Sequence, residues 1–261
     1  MKESCCQFGP RERLAGILSE PATATPRATL LFVSAGVTPK FGPFRLYAEL
    51  ARRLAQDGFR TLRFDLGGIG DSGDAFEAHP LEQRTHLQIA AALDYLAGRF
   101  ELGRVILAGL CSGAEDSFRH AEQDGRVTGV VMIDPFAYRT AGFRWRKLAA
   151  RAKQRLLRAA GLYQPWPRAA GRSLVSYEYM AAAESTRILR VLLERRVQLN
   201  FVYTGGRGRH FNHAGQLQAM FRGIDFGNLV QVDHFPKLDH TQLLERDRRT
   251  LIDAIARRLS A

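Results

Sequence analysis

Apolar and polar positions along this chain follow two different periods. Short runs rich in apolar residues recur at 28–36 (ATLLFVSAG), 59–64 (FRTLRF), 103–111 (GRVILAGLC), 127–135 (VTGVVMIDP), 197–206 (VQLNFVYTGG) and 227–235 (GNLVQVDHF). Such runs predict strands buried on both faces. Between them, apolar residues return every three or four positions at 44–58, 82–100, 112–123, 143–160, 176–196 and 240–260, the spacing of helices with one buried face. Alternating strands and helices predict an α/β protein with a mostly parallel central sheet flanked by helices. The alternation is interrupted once, after the strand that ends near Asp134. Residues 136–172 therefore predict a helical lid inserted into a single core made of 1–135 and 173–261.

Charge sharpens this division. The formal net charge is +12, and residues 139–172 hold ten Arg or Lys and no Asp or Glu, leaving +2 for the other 227 residues. The chain is a nearly neutral body carrying one strongly basic segment. Such a segment suits an acidic acyl-carrier protein, the phosphates of coenzyme A, an anionic glycan or an anionic membrane surface. No nucleic-acid-binding motif accompanies it. Its apolar residues, among them Phe143, Trp145 and Trp166, are candidates to line an acyl pocket. No apolar run is long enough to span a bilayer and no signal-like stretch opens the chain, so a cytoplasmic location is expected. Three cysteines cannot build a disulfide framework; Cys5 and Cys6 are expected to be incidental surface thiols. The glycine-rich DLGGIGDSGD at 65–74 lacks dinucleotide spacing and any following Lys-Ser/Thr pair, so it predicts a structural turn carrying Asp65, and no cofactor is expected.

The chemistry concentrates in VILAGLCSGAEDSF, residues 105–118. Gly109, Leu110, Cys111, Ser112 and Gly113 form a Gly-x-nucleophile-x-Gly turn between a strand and a helix. A nucleophile on so tight a turn needs small residues two positions away on each side. Centring the pattern on Ser112 would put Leu110 at a position that must be small, so Cys111 is the candidate nucleophile. The backbone N–H of Ser112 then faces a developing oxyanion, and the following helix N-terminus favours a thiolate. In this chain order the base comes last, and VDHFPKLDHTQLL supplies His240, with His234 as second choice. Asp134, at the C-terminal end of its strand, is the preferred orienting acid; Asp225 is the other candidate, and a turn role before Pro135 stays open. The loop after the first central strand turns at Gly36 and offers the N–H of Val37 as second oxyanion donor.

With LLFVSAG, LRFDLGGIGDSG, LAGLCSGA and the late DHT in place, the chain resembles the α/β-hydrolase superfamily over nearly its whole length. The stretch from GPFRLYAEL to DLGGIGDS, with GLCSGA, is similar to bacterial α/β-fold hydrolases found beside exopolysaccharide, exosortase-type or polyketide gene sets. The resemblance implies an α/β-hydrolase fold. It places the acid after strand 197–204, where no carboxylate is found, or at the end of the strand before it. The superfamily mostly uses serine; the Cys111 elbow resembles dienelactone hydrolase and cysteine-type thioesterases. The expected activity is hydrolysis or acyl transfer from a thioester or activated ester through an acyl-cysteine. The alternative is a non-catalytic scaffold that binds a polyanion or acidic partner through the basic lid.

Overall fold

A computed structural model describes residues 1–162 and 180–261. Eight strands form one sheet: β1 (Lys2–Phe8), β2 (Leu14–Glu20), β3 (Thr29–Val33), β4 (Arg60–Phe64), β5 (Val105–Leu110), β6 (Val127–Ile133), β7 (Gln198–Thr204) and β8 (Val230–Phe235). Their order is β1-β2-β4-β3-β5-β6-β7-β8. All pairs from β4 to β8 are parallel, and β2 joins β4 antiparallel. The helices are α1 (Leu46–Gln56), α2 (Leu81–Ala97), α3 (Ser112–Gln123), α4 (Ala141–Ala159), α5 (Ala182–Glu194), α6 (Gln216–Met220) and α7 (Glu245–Ser260). None of the described helices is long and apolar enough to cross a membrane.

The period of two along each strand divides the core. Leu31, Val33, Leu107, Val130 and Met132 point to one face, where α2, α3 and α5 cover them with Leu93, Phe118 and Leu189. Leu30, Phe32, Ile106, Ala108 and Val131 point to the other, against Leu50 and Leu54 of α1 and Leu251 and Ile255 of α7. Both faces are dry, which is why these strands read as unbroken apolar runs. From β3 the chain leaves to α1 on one face, and from β5 it leaves to α3 on the other. The crevice between the C-terminal ends of β3 and β5 is therefore the switch point, where open α/β sheets bind ligands.

Two expectations need correction. The N-terminal stretch is one strand of a hairpin at the sheet edge, so only one of its two cysteines is a surface thiol: Cys5 pairs opposite Ile17 and Cys6 opposite Gly16. Cys5 is exposed, whereas Cys6 is partly buried and packs on the core. KESCCQF carries too few apolar residues to announce a strand, because an edge strand buries little. Glu3 ties it down through hydrogen bonds from Arg52 and Arg63. Burial pushes the Glu3 carboxyl up, but those two arginines more than offset it and hold it below its usual value. The second correction is at the other end: α7 begins at Glu245, so His240 lies in the preceding turn and does not open the helix.

Phe118 is fully buried, with ring centroids 5.4 Å from Phe136 and 6.5 Å from Phe201. Truncating Phe118 to Ala is expected to cost about 3–5 kcal/mol of unfolding free energy. A urea midpoint that falls accordingly, at unchanged slope, is the check.

Candidate active site

β5 delivers the chain to Cys111 with φ 55° and ψ −118°, and α3 starts at the next residue. A non-glycine residue held there stores on the order of 1–3 kcal/mol of strain. Its neighbours enforce the geometry. The Cys111 N–H donates to the Ile133 carbonyl at 2.9 Å, and the buried Tyr47 hydroxyl accepts from the Leu110 N–H at 2.8 Å and donates to the Val33 carbonyl at 3.2 Å. The flanking glycines are steric necessities. A Cβ on Gly109 would stand 2.3 Å from the Gly113 backbone, and one on Gly113 would stand 2.3 Å from the Val33 carbonyl oxygen. The Gly-x-Cys-x-Gly spacing is what lets α3 touch the strands.

β6 ends at Asp134, fully buried and with φ 48°. Its carboxylate accepts the Thr204 N–H at 2.6 Å, the Thr204 hydroxyl at 2.5 Å and His240 Nδ1 at 2.7 Å. The turn carrying His240 fits against Gly205 and Gly206 at the end of β7. Added Cβ atoms there would lie 2.6 Å from the Pro236 carbonyl oxygen and 2.4 Å from the His240 Cβ. The TGG that ends the β7 run is thus a platform for the histidine.

His240 also stands near enough to the Cys111 thiol for each to shift the other's ionisation. Burial by itself would lower the His240 pKa, but the hydrogen bonds to Asp134 and Cys111 dominate and push it up to about 9. Burial likewise pushes Cys111 up; the hydrogen bond with His240 and the charge of Arg207 outweigh it, and the thiol ends below its usual value. The two shifts run in opposite directions, the thiol down and the imidazole up.

Arg207 was not anticipated. It is 5% exposed, donates from Nε to the Asp134 carbonyl oxygen at 2.8 Å, and places Nη2 3.9 Å from Cys111 Sγ. The loop TGGRGR holds no carboxylate, and nothing in its sequence marks the first arginine as the one that turns toward the site. At that separation the gross attraction to a thiolate is on the order of 4 kcal/mol at an effective dielectric constant of about 20. That is large enough to offset much of the desolvation.

The loop after β3 meets the elbow from the other side. Gly36, at φ 51°, donates its N–H to Ser112 Oγ at 3.1 Å, so the Ser112 hydroxyl is engaged with this loop. Val37 follows with its side chain 81% exposed. The loop is pinned by Asp65, which accepts the Lys40 N–H at 2.5 Å, Lys40 Nζ at 2.6 Å and the Asp71 N–H at 2.9 Å. A Cβ on Gly70 would come within 2.4 Å of that carboxylate. The glycine-rich turn therefore supports the site instead of cradling a phosphate.

The remaining candidates lie elsewhere. His234 sits in β8 with its ring edge-on to Phe211 at 5.4 Å, and burial pushes its imidazole down. Asp225 accepts the N–H of Gly227 in its own turn, and Asp239 accepts the N–H groups of Thr241 and Leu243. It is therefore His240 that the structure brings to Asp134. Phe143 is buried and Trp145 is 71% exposed, so the two rings do not share one pocket wall; Trp166 lies outside the described residues. Among the described residues, no group of three or more His, Cys, Asp or Glu side chains is placed to hold a metal ion.

The order of strands and the strand–elbow–helix at Cys111 define an α/β-hydrolase fold. Solved structures agree. The chain superposes on an α/β hydrolase, GrgF, from Penicillium sp. sh18 with a TM-score of 0.62 at 15% identity, covering 99% of this chain and 98% of that one. The esterase domain of a Rhodothermus marinus protein gives 0.61 at 17% identity, covering 99% and 98%. An α/β serine hydrolase homologue from Coxiella burnetii gives 0.61 at 16% identity, covering 99% and 97%. No protein-family model matches the chain, and no curated protein sequence matches it. At these identities the likeness speaks to the fold.

Two outcomes test this geometry. Gly113→Ala forces a methyl group into the Val33 carbonyl, and overpacking of this kind costs about 1–3 kcal/mol or more; thermal unfolding is expected to shift down accordingly. Arg207→Gln removes the cation beside Sγ, so the Cys111 pKa is expected to rise. Alkylation rate of Cys111 against pH, read by peptide mass spectrometry, should move its midpoint upward while the fold stays intact by circular dichroism.

Proposed function

We propose that the chain is a hydrolase or acyltransferase that works through an acyl-Cys111 intermediate on thioesters or activated esters. The observation that carries this reading is the placement of Cys111, His240 and Asp134 in one site, with His240 Nδ1 held 2.7 Å from Asp134 and the ring coupled to the Cys111 thiol. It is joined to a thiol pushed down and an imidazole pushed up. Displaced ionisation of two groups in one site is the signature of a nucleophile and its proton carrier.

In the proposed reaction the Cys111 thiolate attacks the carbonyl carbon. The carbonyl π electrons move to oxygen, which the N–H groups of Ser112 and Val37 receive. The tetrahedral adduct collapses, the bond to the leaving sulfur or oxygen breaks, and His240 gives its proton to that leaving group, which departs as thiol or alcohol. Neutral His240 then takes a proton from water, or from an acceptor alcohol or amine, as that nucleophile attacks the acyl-thioenzyme. Thiolate is released to pair again with imidazolium. Asp134 keeps Nδ1 protonated and the ring in place throughout. Exchange of a thioester for an enzyme thioester is close to isoenergetic, whereas an alkyl ester or amide carries a poorer leaving group. The nucleophile therefore favours thioesters and activated esters. A non-catalytic scaffold would account for the basic segment but leaves the alignment of the three residues without a use.

The test is intact-protein mass spectrometry after brief exposure to a panel of acyl thioesters and p-nitrophenyl esters. An acyl adduct is expected on the wild-type chain and on Ser112→Ala, with none on Cys111→Ala. His240→Ala should form it about 10²–10⁴-fold more slowly. An adduct that survives Cys111→Ala, or reactive esters that leave the wild type unlabelled, would overturn the proposal.

A further inference from the structure

α4 packs on the body at its first turns and by one face. Arg139 donates to the Arg209 carbonyl at 3.1 Å, Arg146 to Asn212 Oδ1 at 2.8 Å, and Asn212 to the Phe143 carbonyl at 3.1 Å. Phe143 is the one buried residue in its 19. Taking each residue about 100° around the helix, Phe143, Gln154 and Leu157 fall together on the inner side; the last two are half-buried. The opposite side carries Trp145, Leu148, Ala149, Ala152 and Leu156, all exposed, in a stripe roughly 100° wide and about 16 Å long. Trp145 and Leu156 are each 71% exposed and Leu148 is 57% exposed.

This apolar stripe has cations on both borders: Arg144, Arg151, Arg155 and Arg158 along one and Lys153 along the other. No acidic residue occurs anywhere in 139–172. We infer that α4 is a docking surface for an anionic lipid bilayer, lying in the interface with its outer stripe inserted among the acyl chains. The physical fit is specific. Long arginine stems cover the border of an apolar strip while their guanidinium groups rise to the headgroups, and tryptophan belongs at that boundary. An acidic protein surface would be met by the cations alone and would leave the outward Trp145 and Leu156 unexplained. The inner face and the anchors to 209–212 keep the helix attached while its outer face is free to insert. α4 also follows β6 at the C-terminal edge of the sheet, the edge that carries Cys111 and Asp134. Docking through α4 thus sets the candidate active site close to the lipid surface. The docking itself stands apart from the proposed chemistry.

The experiment uses the full chain with Trp166→Phe, which leaves Trp145 as the lone tryptophan. It is mixed with vesicles of phosphatidylcholine alone or of phosphatidylcholine and phosphatidylglycerol in equal amounts. Expected results are co-sedimentation with the anionic vesicles only, weakening as salt rises, and a blue shift of Trp145 emission on binding. Trp145→Ser with Leu156→Ser should weaken binding by tenfold or more with all cations kept. Arg151→Gln with Arg155→Gln should weaken it about 25-fold, at about fivefold per cation. Circular dichroism and Cys111 alkylation confirm that each variant is folded. Three results would overturn the inference. One is no co-sedimentation with either vesicle. Another is binding that the serine variant retains in full, which would mean charge attraction alone. The last is capture of an acidic acyl-carrier protein while the vesicles are ignored.

Discussion

The contact on which the rest of the molecule depends is the near-touch of α3 against β3 and β5. Gly113 lies where a methyl group would strike the Val33 carbonyl oxygen at 2.3 Å, and Gly109 lies where one would strike Gly113. Only two missing side chains permit that approach. Once it is made, the residue between strand and helix has nowhere to go but into positive φ, and that residue is Cys111. The strain is local, but what holds it is spread widely. Tyr47 bridges from α1, Ile133 accepts from β6, and Phe118 anchors α3 among Phe136 and Phe201. A core divided into two dry layers is what keeps one thiol at the sheet's switch point.

Much of this was legible in the sequence because the central strands β3, β5 and β6 are buried on both faces and therefore nearly unbroken in apolarity. The elbow was legible because its glycines are sterically required, and His240 and Asp134 because the ends of strands carry them to one edge. The hairpin β1–β2 was not legible. It buries one side only, and its hold on the sheet comes from Glu3 meeting Arg52 and Arg63, residues nearly 50 and 60 positions away. No local pattern encodes such a pairing. The outward face of α4 was hidden for a different reason. Helical periodicity shows that apolar residues share a side, yet Phe143 and Trp145 differ only in which side meets the body, and that is decided by Asn212 and the loop around it.

Arg207 shows the same limit at the site. In TGGRGRHF nothing distinguishes the first arginine from the second, and only β7's place beside β6 turns Arg207 toward the Asp134 carbonyl. The glycines before it serve the histidine turn, so a single short loop supports His240 from one side and faces the thiol from the other.

Under the proposed chemistry, the position of the acid and the identity of the nucleophile form one arrangement. With the carboxylate at the end of β6, where Thr204 on β7 holds it by two hydrogen bonds, the loop after β7 needs no acid. A cation occupies that loop instead. A serine hydroxyl is neutral at rest and would gain little from a guanidinium 3.9 Å away, whereas a thiolate is anionic at rest and gains throughout. Arg207 is held by the Asp134 carbonyl oxygen and His240 by the Asp134 carboxylate, so both cations gather around one acidic residue, and a negative charge on the sulfur would be favoured between them. Under the proposed chemistry that charge is the Cys111 thiolate. Acylation neutralises the sulfur and removes the screening between the two cations. The imidazolium is then favoured to give up its proton at the stage where a neutral base is needed to activate the incoming nucleophile. The same buried arginine that lowers the thiol in the resting state thus helps to release the base in the acylated one.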